Sequence, residues 1–315
     1  MMRNYFLYAM LLVPALFMSC EKEVDFKFNK KEKLVVFSQF TANNFLDVLV
    51  YKASPFNTHS STEFVTDATV LVFSNGEFLE ALELVPANDA NGMPPFYRSK
   101  VLQPKTGEVY LIKVTVPGFE PITAENSIPV PVPIQSVQLT SNFTDDPSDD
   151  GISILNFDIS VTVVDPKDVR NFYHLIFHQQ LISYTVTPSG DTLLGAVTYA
   201  QPRTLSPKDP NFPFIKHFDN KGFLIEDKTF NGQKVVFGAT GSYVYDPRQF
   251  LPGDFLVELR TVSEAYFYHF STLILQDELG NNPLSEGVVI YDNIVNGIGI
   301  FAGYSSSVNT FQLRN

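Results

Sequence analysis

Residues 155–163 carry the pattern that organises this chain: Leu155, Phe157, Ile159, Val161 and Val163 alternate with Asn156, Asp158, Ser160 and Thr162. A period of two puts one face in a core and the other in water, so the segment reads as a half-buried β-strand. Short β-branched and aromatic runs of similar kind recur along the chain. Upstream they are Leu34–Phe40, Phe45–Tyr51, Ala68–Phe73, Phe78–Leu84 and Val109–Val116. Downstream they are Phe172–Tyr184, Leu193–Tyr199, Lys234–Phe237, Phe255–Leu259, Val288–Tyr291 and Ile298–Tyr304. Asn75-Gly76 predicts a hairpin, because a type I′ turn needs positive φ at both central positions. Ser189-Gly190, Asn231-Gly232 and Asn296-Gly297 mark further turns.

One segment departs from this period. Ser263–Gln276 reads as a helix whose Tyr266, Phe267, Tyr268, Phe270, Leu273 and Ile274 would pack on a sheet, with Thr261 and Glu264 placed as a capping box. Alternating prolines in Ile128-Pro129-Val130-Pro131-Val132-Pro133-Ile134 remove ladder donors and mark a junction. The expected fold is therefore mainly all-β. An immunoglobulin-like or transthyretin-like β-sandwich is expected over residues 34–128, then a Pro-rich junction over 129–134. A larger β-sandwich or barrel-like domain with one packed helix follows over 135–315.

The N-terminus has a different character. Arg3 is followed by Tyr5–Met18 without a charge, then Ser19 and Cys20, the only cysteine of the chain. A basic start, a short apolar run and a small residue before the cleavage point read as a secretory signal over residues 1–19. The run is shorter than the roughly 20 apolar residues a spanning helix needs. With no second cysteine to form a disulfide, Cys20 is expected to be lipidated, and residues 20–33 to form a charged tether. Leu16-Phe17-Met18-Ser19-Cys20 resembles a bacterial lipobox with the leucine one place early.

Charge and motifs narrow the chemistry. The formal net charge is −12, and −13 once Arg3 leaves with the signal, which repels phosphate backbones and argues against nucleic acid as a partner. Aromatic burial rests on 29 Phe and 14 Tyr, with no Trp. Gly297-Ile298-Gly299-Ile300-Phe301-Ala302 imitates a dinucleotide fingerprint but lacks the following helix and distant acidic residue, so no dinucleotide cofactor is expected. Gly303-Tyr304-Ser305 lacks the second glycine of a nucleophile elbow and has no histidine after it. His174 and His178 share a face and would begin a zinc site only with a third ligand that no spacing supplies. Asp145–Gly151 is acidic, but Pro147 occupies the place of an alternate calcium ligand, so the segment reads as a solvated loop. Paired carboxylates for glycoside hydrolysis converge in space and leave no mark in sequence.

Several segments together resemble a family of Bacteroidota surface lipoproteins catalogued as domain of unknown function 4249. The carrying residues are Cys20 with its charged followers, Lys33-Leu34-Val35-Val36, and Asp67-Ala68-Thr69-Val70 with Asn75-Gly76. Val116-Pro117-Gly118-Phe119, Thr123-Ala124-Glu125, Ile128-Pro129 and Val132–Val137 continue it. Asn282-Pro283-Leu284-Ser285-Glu286 and Asn296-Gly297 through Tyr304 complete it. Charges directly after the lipidated cysteine resemble the export signal to the outer face of the outer membrane. Asp191-Thr192-Leu193 resembles a Bacteroidota O-glycosylation acceptor, which makes Thr192 a candidate site. The resemblance implies an accessory lipoprotein working beside a TonB-dependent outer-membrane receptor, and it carries no catalytic residues, cofactor or metal. The expected function is thus non-enzymatic: capture, gating or assembly at an outer-membrane β-barrel transporter. Its rivals are a surface adhesin or carbohydrate-binding module and, further off, a hydrolase. A docking face should show as an exposed aromatic patch with a polar rim.

Overall fold

The computed structural model describes residues 32–53, 62–147, 149, 151–280 and 287–313. Cys20, the expected signal and most of the tether lie outside the described residues, as do Asn282–Glu286. Strands dominate, as the period-two patterning requires. In the first half they are β1 (Leu34–Thr41), β2 (Asp47–Lys52), β3 (Thr69–Ser74), β4 (Glu77–Ala81), β5 (Glu83–Val85), β6 (Phe96–Arg98), β7 (Val109–Thr115) and β8 (Ile122–Ser127). The second half has β9 (Ile134–Asp145), β10 (Ser153–Val164), β11 (Phe172–Val186), β12 (Thr192–Ala200), β13 (Thr204–Pro207), β14 (Ile215–Lys216) and β15 (Phe223–Glu226). It closes with β16 (Lys234–Tyr245), β17 (Phe250–Val262), helix α1 (Glu264–Gly280) and β18 (Ile298–Gln312).

Three sheets result. A ten-stranded sheet runs β14-β15-β11-β17-β18-β1-β2-β6-β5, with β12 also paired to β11. Two four-stranded sheets, β4-β3-β7-β8 and β13-β16-β10-β9, cover different parts of it. The first core, under β3, β7 and β8, contains Val36, Val48, Val72, Tyr110, Ile112 and Ile122. The second lies under β10 and β16 and contains Phe157, Ile159, Val161, Phe177, Phe237 and Phe255. The protein is therefore mainly β, in a sandwich-like arrangement of several sheets with one helix.

The last strand joins these cores. The N-terminal half of β18 pairs in parallel with β1, from Val35↔Ile298 to Thr41↔Tyr304. Its C-terminal half pairs antiparallel with β17. Phe301 stacks on Phe40 with ring centroids 4.5 Å apart in the first core, and Phe311 packs against the second. Ile294 also enters the first core, so residues from beyond the 34–128 stretch complete it. At the Pro-rich segment Ile128 belongs to the first core and Val132 to the second, and residues 128–133 form no strand. Thr261 Oγ1 and Ser307 Oγ accept the Val132 and Ile134 amides, so the crossing backbone is tied to β17 and β18.

Close approach explains the glycines of β18. A Cβ at Gly299 would collide with the carbonyl oxygen of Val36, and one at Gly303 with that of Ser127. They serve packing rather than a phosphate site. Asn75 and Gly76 both have positive φ, 51° and 80°, as the hairpin turn demands.

Three local expectations need correction. Phe78–Leu84 is two strands: buried Leu82 is the pivot at which the chain leaves the small sheet for the large one. Val288–Tyr291 forms no strand, because its backbone is taken up by the helix. Gln276 Oε1 accepts the Val288 amide, Thr272 Oγ1 accepts the Tyr291 amide, and His269 Nδ1 donates to the Tyr291 carbonyl at 2.7 Å. Helix α1 is capped by Ser263, whose Oγ accepts the Tyr266 amide, while Thr261 is occupied in β17. The Asn231-Gly232 turn forms as expected and leads into β16, with Gly232 at a φ of 72°.

Candidate functional site

Alternation along the large sheet gives it two unlike faces. On β11, Tyr173, Leu175 and Phe177 point into the second core, while His174, His178, Gln180 and Ile182 point outward. On β17, Phe255, Val257 and Leu259 point in, and Glu258 and Arg260 point out. Helix α1 covers one stretch of this outward face with Tyr266, Phe267, Phe270 and Ile274, packed on Phe172, Leu224, Val262, Ile300 and Ala302. Beyond the helix the face is open.

A polar network lies where the cover ends. Arg260 donates to Glu258 through Nε at 2.7 Å and Nη2 at 3.1 Å, and Ser306 Oγ donates to the same carboxylate at 2.6 Å. His178 Nε2 stands 3.7 Å from Glu258 Oε2, with its Nδ1 3.2 Å from Gln201 Nε2. The Arg260 guanidinium sits over the Tyr304 ring, 4.5 Å from its centroid. Burial pushes the Glu258 carboxyl up, but donors from His178, Arg260 and Ser306 outweigh it and hold the group well below the carboxylate range. Burial likewise opposes charge on Arg260, and Glu258 overcomes it, so the guanidinium is held above its ordinary value. A general acid or base works best with a pKa near the working pH. These two groups are instead a fixed ion pair, suited to holding position and offering hydrogen bonds.

His174, deeper under the helix, is also committed. Its Nε2 donates to the Lys221 carbonyl at 2.9 Å, which leaves Nδ1 to accept from the Tyr266 hydroxyl at 3.0 Å. Burial lowers its pKa well below the usual histidine value, and the neighbouring His217 and Arg260 lower it further. His174 and His178 are four residues apart on a strand, about 13 Å at 3.3 Å per residue. They engage different partners and do not converge as metal ligands. Among the described residues no three His, Cys, Asp or Glu side chains group as a metal site.

The other half of the face is apolar. In the β11–β12 hairpin, every residue of β12 from Thr192 to Tyr199 is exposed. Pairings Ile182↔Val197, Tyr184↔Leu194 and Ile182↔Leu251 place Ile182, Leu194, Val197 and Leu251 on the outward face, with Tyr199 beside Gln180. Leu194 is 65% exposed and Tyr199 55%. Thr192–Ala200 contains no charged residue. The other edge strands carry one or a proline: Glu77 on β4, Glu83 on β5, Glu125 on β8, Asp145 on β9, Pro207 on β13 and Lys216 on β14. Charges and prolines on edges discourage pairing with other chains, and β12 alone among them goes without.

This is an exposed apolar and aromatic patch bordered by Gln180, Gln201, Ser306 and the Glu258–Arg260 pair. Thr192 lies exposed at the end of the hairpin, opposite Val186. The partners in the polar network could not be read from sequence, since His178, Gln201, Glu258 and Ser306 meet only through strand register. The charge-free composition of β12 was visible, but its exposure on both faces was not.

Fold and face together define a mainly β protein with an open sheet face, apolar and uncharged at its hairpin end and bordered by a fixed ion pair. The chain belongs to the family described as domain of unknown function 4249, whose profile matches residues 21–310. No curated protein matches the chain.

Proposed function

We propose that this protein is a non-enzymatic lipoprotein of the outer membrane, anchored through Cys20 and facing the cell exterior. It docks on an integral β-barrel of that membrane, a TonB-dependent transporter, and serves ligand capture, gating or assembly there. The observation that carries the docking is the charge-free outward face of the β11–β12 hairpin, with Ile182, Val186, Leu194, Val197, Tyr199 and Leu251 in one patch. Monomeric proteins seldom leave a contiguous apolar surface without a partner. A stable interface buries about 800 Å² on each side, so the patch would act with its polar border and with exposed Val308. The family resemblance supplies the barrel, and the single cysteine after an apolar segment supplies the anchor. Two acyl chains would hold the protein at the surface, where raised local concentration favours even a modest interface.

Extraction in mild detergent followed by affinity capture should recover an outer-membrane barrel in stoichiometric amount. Protease added to intact cells should degrade the protein, and Cys20→Ala should release it from membranes. Protection in intact cells, or recovery as a lone monomer, would overturn the reading.

A further inference from the structure

The small sheet β4-β3-β7-β8 has an outward face of its own. On β3 and β7 the residues Val70, Val72, Tyr110, Ile112 and Val114 fill the first core, which leaves Phe73, Val109, Leu111 and Lys113 facing out. Together with Glu125 of β8 and the Ser74-Asn75-Gly76 turn they line a groove of about 470 Å³. That volume falls within the ~300–1,000 Å³ of small-molecule sites. Its apolar wall is set: the Phe73 ring meets Phe78 edge-on at 5.8 Å, and Ser74 Oγ donates to the Val109 carbonyl at 2.9 Å.

The groove also holds one charge of each sign. Leu111 pairs with Glu125 and Lys113 with Thr123, so Lys113 and Glu125 are diagonal neighbours on adjacent strands. At the backbone such positions lie about 7–8 Å apart, and neither side chain has an ion-pair partner among the described residues. Two residues of extended chain span about 7 Å, and the long, flexible side chains of Lys113 and Glu125 can each reach one end of a dipeptide laid across the two strands.

We propose that this groove binds a short zwitterionic peptide bearing an apolar side chain. Glu125 accepts from the terminal ammonium, Lys113 donates to the terminal carboxylate, and the side chain lies on Phe73, Val109 and Leu111. The groove and the β11–β12 hairpin lie on different sheets, so failure here leaves the docking reading intact.

The probe is the dipeptide leucyl-phenylalanine, titrated into the protein and followed by NMR, with its N-acetyl and C-terminal amide forms as controls. Saturable shifts at Leu111 and Val109 methyls are expected. Lys113→Ala and Glu125→Ala should each weaken binding about two- to fivefold, the range of an exposed ion pair. The N-acetyl form should be insensitive to Glu125→Ala, and the amide to Lys113→Ala. Both substitutions are at exposed positions and leave the core intact, which circular dichroism verifies. Equal binding of the blocked and free peptides, or no saturation at the peptide's solubility limit, would overturn the proposal.

Discussion

Replacing Glu258 by Gln tests whether the polar network is the fixed ion pair its geometry describes. The carboxylate accepts two bonds from Arg260 and one from Ser306, and its side chain is only 14% exposed. Gln keeps one acceptor and turns an amide N–H₂ toward the donors of Arg260. Removing one partner of a fully buried pair costs about 3–5 kcal/mol, because a charge is left without its counterpart. Arg260 keeps 21% of its side-chain surface in water and retains its contact with Tyr304, so the expected loss is smaller, about 2 kcal/mol. Urea denaturation at pH 7 measures it directly. The pH dependence gives an independent sign. Because the folded-state pKa of Glu258 lies below the unfolded value, its contribution is present above the unfolded pKa, near 4.5, and is lost as pH falls through the folded one. The variant should therefore lose stability less steeply than the parent on acidification below about pH 4.5. A loss under about 0.5 kcal/mol at pH 7, typical of an exposed pair, with unchanged acid dependence would refute the network as described.

Three further expectations follow from the packing and from buried histidines. Phe301→Ala should cost about 3–5 kcal/mol in urea, since this fully buried ring completes the first core from the shared strand; a loss below about 1 kcal/mol would contradict that role. His174 and His269 both have pKa values lowered first by burial, so stability should be complete above the unfolded histidine pKa of about 6.5 and fall as the pH drops below it. His174→Gln, able to reach the Lys221 carbonyl and the Tyr266 hydroxyl, should flatten part of that decline in the melting temperature between pH 6.5 and 5, leaving the share of His269. Gly303→Ala should lower the melting temperature by several degrees, because the Ser127 carbonyl occupies the space of the new methyl group.

Local regularities explain what could be read in advance. Strand β10 was legible because five apolar residues at a strict period of two leave no other assignment, and all five are buried. The Asn75-Gly76 turn was legible because few dipeptides accept positive φ twice. Helix α1 was legible by composition, though its cap was placed two residues early, since Thr261 and Ser263 offer the same hydroxyl and only the end of β17 separates them. Long-range pairing left no such trace. Nothing in Ile298–Gln312 announces that one half of it adds to β1 and the other to β17, and nothing between Phe78 and Leu84 marks the change of sheet at Leu82. The candidate face has the same character. Leu193–Tyr199 reads as an ordinary half-buried strand until topology places it at an edge with no sheet above or below.

The docking claim rests on that edge, and charge placed there tests it most directly. The double variant Leu194→Lys and Val197→Lys puts two ammonium groups on exposed positions where no core contact is lost, so folding and membrane attachment should be unchanged. Affinity capture from mild-detergent extracts, with barrel recovery quantified against the parent protein, reads the interface alone. The account predicts that the parent brings down a barrel and that the variant loses at least about 90% of it, since two uncompensated charges in a desolvated interface cost several kcal/mol. Equal recovery with both proteins would contradict it.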